Sequence, residues 1–250
     1  MRKELYNEIF RRKSFHTFME RNNDHISEEE IKDIYEAYKS FDSLNNDIKT
    51  TIRIERKENT GFTRSAEYSI LMFSEKKDGY LQNIGYLGEQ LDLYLVSKNI
   101  GSLWFGIAKS NEVYEGLDYV IQIGIAKVDI TKFRKDMFKA KRKEISEMWN
   151  GEDYGIANIV RFAPSACNSQ PWFVESKDNT LEVFRRSKSG KVGIMPKNAS
   201  IYFNQIDIGI FMCFLELCLD HEGIKYERYI YKDKETFDNN ELNARYMLTK

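Results

Sequence analysis

The sequence predicts an α+β fold in which mixed or antiparallel sheets pack against helices. Short β-rich runs alternate with segments of helical spacing, and the second half repeats the order of elements in the first. The 250 residues, 42% of them hydrophobic, suffice for a substantial core. We therefore expect a single unit, residues 1–250, made of two intertwined halves at about 1–148 and 149–250.

The first half predicts two helices, two strands, a long helix and a further strand. Residues 3–13 have helical character and end in a basic cluster, and Ser27 with Glu30 forms a capping box for a helix that reaches about Lys39. The remaining elements are strands at Thr50–Glu55, Tyr68–Phe73 and Tyr119–Ile125, and a helix from Tyr80 to about Asn99 with Gly101 as its C′ residue.

The second half has the same order in outline. It predicts strands at Trp172–Glu175, Leu181–Phe184 and Tyr226–Tyr231, and a helix at Tyr202–Asp220 that ends near Gly223. At an offset of 122 residues, the matches are Ser43 with Ser165, Asn46 with Asn168, Leu95 with Leu217 and Gly101 with Gly223. These matches indicate an internal duplication, and coincidence among common residue types is the alternative.

Composition excludes several classes of function. Lys plus Arg (38) nearly cancel Asp plus Glu (39), so no bulk attraction to nucleic acid or membrane is expected. The three histidines are scattered and no Gly-rich nucleotide motif occurs, so neither a zinc site nor a phosphate loop is predicted. No apolar leader and an odd count of three cysteines favour a cytoplasmic protein with reduced thiols.

Three segments resemble one family. Ala163–Trp172 (APSACNSQPW) resembles the APSxxNxQPW signature of the FMN-dependent nitroreductases. Ile9–Phe18 (IFRRKSFHTF) is similar to the I-x-x-R-R-S-x-R-x-F motif of that family, and Asn83–Gly106 is similar to its long central helix and following turn. The resemblance implies the nitroreductase-like α+β fold.

The same resemblance implies a homodimer in which each flavin contacts both subunits, one at the phosphate and the other at the ring. Here the two motifs lie in different halves of one chain. The first-half counterpart of the ring loop, Asp42–Asn46, lacks the Pro, Gln and Trp, and the second half has no R-R-S motif. We therefore predict a fused pseudo-dimer with one intact flavin site, present as a monomer or as a further homodimer.

At the phosphate end, the resemblance implies that Arg12, Lys13 and Ser14 bind FMN. Arg12 offers a planar fork, Lys13 a point charge and Ser14 a short donor. A solvated basic end of the first helix is the alternative. His16 occupies the position of the motif's last Arg, and because its imidazole is mostly neutral at pH 7 its role as a ligand stays open.

Residues 132–143 hold seven basic side chains against one acid. The family brings a further Lys or Arg to the phosphate from this place, so Arg142 or Lys143 is expected to contribute. A solvated helix face accounts for most of the other charges.

At the ring end, Pro164 would stiffen the loop, Ser165 would donate beside the ring, and Asn168 would pair with the pyrimidine edge. Plain turn chemistry is the alternative for Ser165 and Asn168. Gln170 and Trp172 are expected to be structural.

The resemblance places the turn after the central helix near flavin N5. The backbone amide of Gly106, or those of its neighbours Phe105 and Ile107, is the candidate donor. Trp104 and Phe105 form either an apolar wall for a substrate or part of the core.

The expected function is an FMN-dependent oxidoreductase that takes hydride from NADH or NADPH and reduces a small acceptor such as a nitroaromatic or a quinone, with no catalytic side chain. Alternatives are dehalogenation or flavin fragmentation on the same fold, or a non-catalytic protein that binds flavin or a polyanion.

Overall fold

The computed structural model describes residues 3–18, 24–61, 64–106, 112–186, 197–232 and 240–249. Its helices are α1 (Tyr6–Arg11), α2 (Glu28–Lys39), α3 (Tyr80–Ser97), α4 (Ile145–Met148), α5 (Ala157–Val160) and α6 (Lys197–His221). Its strands are β1 (Thr50–Arg56), β2 (Tyr68–Ser74), β3 (Ile100–Phe105), β4 (Val113–Tyr114), β5 (Leu117–Lys127), β6 (Trp149–Asn150), β7 (Trp172–Lys177), β8 (Thr180–Arg185), β9 (Lys225–Ile230) and β10 (Glu241–Thr249).

The strands form two five-stranded sheets. In the first, the order is β1-β2-β5-β3 with antiparallel pairing throughout, and the short β4 pairs with the start of β5. In the second, the order is β6-β7-β8-β10-β9, in which only β6 is parallel to its neighbour. The fold is therefore α+β with largely antiparallel sheets.

The two halves share one topology. In each half a hairpin (β1–β2 or β7–β8) precedes a long helix (α3 or α6), and the last strand (β5 or β10) pairs between the hairpin and the strand that follows the helix. Each last strand also has a register shift near its start, at Val120 and at Asn243. The fold thus contains an internal two-fold pseudo-repeat.

The long helices cross with their backbones in contact. A Cβ atom on Gly85 of α3 would lie 2.0 Å from the carbonyl oxygen of Ile206, and one on Gly209 of α6 would lie 1.9 Å from that of Gln82. The contacts are reciprocal, because Gly85 and Gly209 each lie three residues after the carbonyl that the other contacts. Reciprocal contacts of this kind are what a two-fold axis produces.

The repeat does not keep the single offset that the sequence suggested. The first strands begin 122 residues apart, at Thr50 and Trp172, whereas the helices end 124 residues apart, at Ser97 and His221. The pairing of Gly101 with Gly223 is therefore wrong. Gly101 belongs to β3, and the left-handed position after α3 that corresponds to Gly223 (φ 70°) is held by Asn99 (φ 56°).

Most other predicted elements are confirmed in position. The capping box of Ser27 and Glu30 starts α2 as expected. The first helix is shorter than predicted, since residues 3–5 form a 3-10 turn and α1 ends at Arg11. The basic segment 132–143 contains only short 3-10 turns among the described residues, so the expected helix face there is wrong.

One described helix is long and apolar enough to cross a membrane by length and composition. It is α6 from Ala199, whose most apolar window is 83% buried inside the protein, as in the central helix of a globular core.

The crossing predicts the effect of a methyl group at Gly85. We expect Gly85→Ala to lower the free energy of unfolding by about 2 kcal/mol or more, because the added carbon meets backbone and not a movable side chain. Urea denaturation measures this loss. The exposed α2 variant Lys32→Ala is the control and should change stability by less than about 0.5 kcal/mol. A Gly85→Ala protein as stable as this control would contradict the close crossing.

Candidate functional site

Arg12 is the first residue after α1, and its side chain turns inward. It is 5% exposed. Its Nε donates to Oδ2 of Asp92 at 2.8 Å and lies 3.4 Å from Oε1 of Glu89, and its Nη2 donates to Oγ of Ser14 at 3.3 Å. The Nε–H of the predicted phosphate-binding fork is therefore already used by the acids of α3.

Two carboxyl groups, those of Asp92 and Glu89, share this buried site with Arg12. Burial and the nearby charge of Asp92 raise the pKa of Glu89 well above its usual range, although Arg12 opposes the shift. Burial lowers the pKa of Arg12, but the carboxylates more than offset it and the net shift is upward. Ser102 and Trp104 also donate to Asp92. The guanidinium of Arg12 is therefore held by the carboxyl group of Asp92, with that of Glu89 beside it.

The basic segment lies against the end of α1. The backbone N–H of Arg134 donates to the carbonyl of Arg11 at 2.9 Å, and Nζ of Lys13 donates to the carbonyl of Lys132 at 3.1 Å. Burial and the positive charge of Arg12 lower the pKa of Arg134. Residues 11–13 and 132–134 therefore form one positively charged region, of which Arg134 was not singled out from the sequence.

Arg142 joins this region to the loop Ala163–Trp172, which we call the APS loop. Its Nη1 donates to Oδ1 of Asn168 at 2.9 Å and its Nη2 to the carbonyl of Phe162 at 3.1 Å. Burial, followed by the charges of Arg12, Arg134 and Arg161, lowers the pKa of Arg142 to about 10. We call these four residues the arginine cluster.

One buried donor of the arginine cluster has no acceptor among the described residues. Nε of Arg142 is buried and has no hydrogen-bond partner within the described part of the chain. A buried, unpartnered N–H beside three further guanidinium groups is costly unless an anion is present. The cluster is thus suited to bind an anion.

The APS loop has a strained backbone. Cys167, Asn168 and Gln170 have φ values of 51°, 54° and 48°, in the left-handed region that non-glycine residues rarely adopt. Such conformations cost on the order of 1–3 kcal/mol each and persist where surrounding contacts enforce them. Concentration of three in one loop is typical of a functional site.

Contacts from both sides enforce this conformation. The backbone N–H of Gln170 donates to Oγ of Ser165 at 3.0 Å, and Lys143 donates from its backbone N–H to Oε1 of Gln170 and from Nζ to its carbonyl. Lys143 therefore holds the loop, and Ser165 acts as a turn acceptor. Pro164 is buried beside them.

Asn168 is exposed, but its amide is used within the protein. Its Oδ1 accepts from Arg142, and its Nδ2 donates to the carbonyl of Lys141 at 3.2 Å. The predicted pairing with a pyrimidine edge thus requires exchange of one of these bonds.

Asp207 of α6 binds the APS loop through two hydrogen bonds. Its Oδ1 accepts the backbone N–H of Ala166 at 2.9 Å and its Oδ2 accepts the hydroxyl of Ser169 at 3.2 Å. Burial raises the pKa of Asp207 to about 7, although both hydrogen bonds oppose the shift. The sequence marks Asp207 only as an acid within an apolar run.

The residues predicted near flavin N5 lie in packed surroundings. Phe105 is buried in the core at 5% exposure, and a Cβ on Gly106 would lie 2.5 Å from the ring of Phe203. Trp104 packs against Gly88 of α3 and is partly buried against the core. His16 is exposed, and the candidate Ile107 lies outside the described residues.

Corresponding positions are filled differently in the two halves. Trp172 stacks on Phe211 with ring centroids 5.0 Å apart, so Trp172 is structural as expected. Thr50 and Leu87 hold the corresponding positions in the first half and line a cavity of about 350 Å³ next to α2. The cavity is therefore not part of the arginine cluster.

No group of three or more potential metal ligands occurs among the described residues.

The buried acids predict a contrast between two variants. We expect Glu89→Gln to change the free energy of unfolding by less than about 1 kcal/mol, because burial raises the pKa of Glu89 well above its usual range and so disfavours its charged form. Adding Asp92→Asn to that variant should cost about 3–5 kcal/mol, because Arg12 then stays buried without a counter-charge. Urea denaturation distinguishes the two. Equal stability of the single and double variants would contradict the ion pair.

Comparisons with known proteins agree with this fold. Residues 4–219 match the family described as “Putative TM nitroreductase”. A crystal structure from Thermotoga maritima, described as a “putative nitroreductase”, has a TM-score of 0.61 and 18% identity, over 98% of this chain and 93% of that one. No curated protein matches the sequence.

Shorter nitroreductases align with part of the chain. A nitroreductase with bound FMN from Desulfitobacterium hafniense has 17% identity and a TM-score of 0.40, over 58% of this chain and 100% of its own. A nitroreductase family protein from Streptococcus pneumoniae has 12% identity and a TM-score of 0.44, over 59% and 98%. With the family match over residues 4–219, the chain belongs to the nitroreductase family of oxidoreductases.

Proposed function

We propose that the chain is an FMN-dependent oxidoreductase that takes hydride from NADH or NADPH and reduces a small acceptor such as a nitroaromatic or a quinone in the cytoplasm. The observation that carries the proposal is the arginine cluster, which adjoins the strained APS loop through the bond between Arg142 and Asn168. FMN requires one site for its phosphate and, beside it, a loop that can bind its ring, and the arginine cluster and the APS loop would provide these.

The donor set of the arginine cluster fits a phosphate. Nε of Arg142 is buried and unpartnered among the described residues, and Arg134 is half-buried beside it. Charge-assisted hydrogen bonds of this kind contribute about 1.5–3 kcal/mol each. Arg12 would attract the phosphate through its positive charge and would donate from its Nη groups, since its Nε already donates to Asp92. Lys13 and Ser14 lie at the same helix end.

The APS loop suits the flavin ring because the loop is held rigidly. Lys143 and Asp207 hold the APS loop from two sides, so its N–H and amide groups are oriented before a ligand arrives. Asn168 would exchange its bond to Arg142 or to Lys141 for one to the pyrimidine edge. Gly106 and Phe105 remain the proposed neighbours of N5.

FMN, when bound, supplies a hydride acceptor at N5. The protein's part is to bind the phosphate, orient the ring and stabilise negative charge at the pyrimidine edge. No side chain need act as an acid or base, so substrate selection rests on the shape of the pocket.

The site takes its parts from both halves of the chain. Arg12 comes from the first half and the APS loop from the second, and the counterpart loop Asp42–Asn46 carries no such cluster of left-handed residues. We therefore propose a fused pseudo-dimer with one flavin site, which can exist as a monomer or pair again with a second copy.

Flavin content is the first test. We expect the purified protein to bind FMN with a visible flavin spectrum, which bleaches anaerobically when NADH or NADPH is added and returns when a quinone is added. Absorbance spectroscopy under argon measures both steps. Colourless protein that ignores added FMN would overturn the proposal.

Replacement of Arg134 tests the phosphate role. We expect Arg134→Ala to weaken FMN binding by roughly ten- to a hundredfold, which corresponds to about 1.5–3 kcal/mol for one charge-assisted contact. Riboflavin, which lacks the phosphate, should bind the variant and the native protein equally. Fluorescence titration with both ligands measures these affinities.

Lys135→Ala is the matched control, because this neighbouring cation is exposed. It should weaken FMN binding less than threefold. Equal losses for FMN and riboflavin in Arg134→Ala would argue against a phosphate contact.

A further inference from the structure

The two halves differ in how they fill the space between the long helix and the first strand of the hairpin. In the second half, Trp172 at the start of β7 stacks on Phe211 of α6 with an angle of 20° between the ring planes. Thr50 starts β1, and Leu87 has the place of Phe211, two residues after the crossing glycine of its helix. The first half therefore has no indole ring where the second half has one.

A cavity of about 350 Å³ lies at this place in the first half. Its walls come from α2, from the segment 41–48, from β1 and from Leu87 of α3. Binding pockets for small molecules usually measure about 300–1,000 Å³, and a cavity of about 150 Å³ suffices for benzene. The space is therefore large enough for one or two fused aromatic rings.

Hydrogen bonds hold the wall formed by the segment 41–48. Oδ1 of Asn83 accepts the backbone N–H of Leu44 at 3.0 Å and the hydroxyl of Ser43 at 2.7 Å. Nη2 of Arg228 donates to the carbonyl of Ser43 at 3.0 Å. This wall is thus fixed to α3 and to β9, so the cavity is formed before a ligand arrives.

The lining separates into an apolar interior and a polar rim. The interior consists of buried side chains, which are Tyr38, Phe41, Ile48, Ile52 and Leu87. Lys39 and Asn46 are exposed and form part of the rim. None of the described residues that line the cavity is acidic, so the lining does not select a cation.

We propose that this cavity binds a small planar aromatic molecule of one or two rings that carries an oxygen acceptor. The ring would lie where Trp172 lies in the second half, against Leu87 and the rings of Tyr38 and Phe41, and the acceptor would face Asn46 at the rim. This site is separate from the proposed flavin site and goes beyond the proposed function.

Coumarin is a suitable probe, because it joins two fused planar rings to a carbonyl acceptor and carries no charge. We expect it to bind the native chain at one site with a dissociation constant below about 1 mM, as burial of one flat ring system allows. Isothermal titration calorimetry measures this binding. A native chain that does not bind coumarin at this concentration would overturn the proposal.

Thr50→Trp tests the location, because it places in the first half the side chain that fills the second. We expect the variant to bind coumarin more weakly than the native chain by roughly tenfold or more, since the indole occupies the cavity. Val113→Trp is the matched control, because Val113 is 60% exposed on β4 and does not line the cavity. Equal affinity of the native chain and Thr50→Trp would refute the location.

Leu87→Phe keeps the test decisive if circular dichroism shows that Thr50→Trp does not fold. This change copies Phe211 into the first half, enlarges the side chain from the opposite wall and should also weaken coumarin binding several-fold. Unchanged binding in Leu87→Phe would count against the site in the same way.

Octahydrocoumarin tests the class of ligand, since it has the same lactone on puckered rings. It should bind the native chain more weakly than coumarin by roughly tenfold, because a puckered ring cannot lie flat against Tyr38 and Phe41. Equal binding of the two probes would contradict a site for planar aromatic molecules.

Addition of FMN separates this site from the flavin site. We expect saturating FMN to change the dissociation constant of coumarin by less than about twofold, because uncoupled sites bind independently. Competition between the two would place coumarin in the flavin site and overturn the proposal. If the protein binds no FMN, the proposed function fails, whereas the comparison of the native chain with Thr50→Trp still decides whether the cavity is a binding site.

Discussion

The backbone contact between α3 and α6 is the constraint on which the arrangement of the molecule depends. Only glycine at positions 85 and 209 lets the two helices approach so closely. The same two helices carry the groups that place the parts of the site. Asp92 of α3 holds Arg12, and Asp207 of α6 holds the APS loop. A change in the crossing would therefore move Arg12 relative to the APS loop.

The site is also where the fold departs from its most stable arrangement. The arginine cluster brings like charges together, and the adjacent loop keeps three non-glycine residues in left-handed conformations. Elsewhere buried charges are compensated, as where Glu216 accepts from Arg228 and from the hydroxyls of Tyr86 and Tyr246. Like charges and backbone strain in one place are typical of a binding site.

Local signals in the sequence predicted much of the fold. The capping box at Ser27 marked α2, and alternating β-rich runs marked the hairpins. The sequence predicts a turn where β3 lies, because Gly101 is typical of a helix end, whereas it is Asn99 that has the left-handed conformation. The signature at residues 163–172 located the loop, because its residues are contiguous.

The contacts that complete the site join residues far apart in the chain. Arg12 and Asp92 are 80 residues apart, and Ala166 and Asp207 are 41 apart. No local pattern specifies such pairs. The sequence shows only that Asp207 is an acid within an otherwise apolar helix. Such an acid needs a buried hydrogen-bond partner, but the sequence does not identify that partner. For the same reason the sequence predicts Arg12 and Lys143 as phosphate ligands but does not reveal their contacts with Asp92 and Gln170.

In an assembly of two identical subunits every substitution appears twice, so a mutation that improves one pocket must be tolerated in its mirror image. This chain encodes each half separately. Trp172 and Phe211 fill one half with stacked rings, while Thr50 and Leu87 line a cavity of about 350 Å³ in the other. A substitution in one half of this chain is therefore not repeated in the other, so the two halves can pack differently.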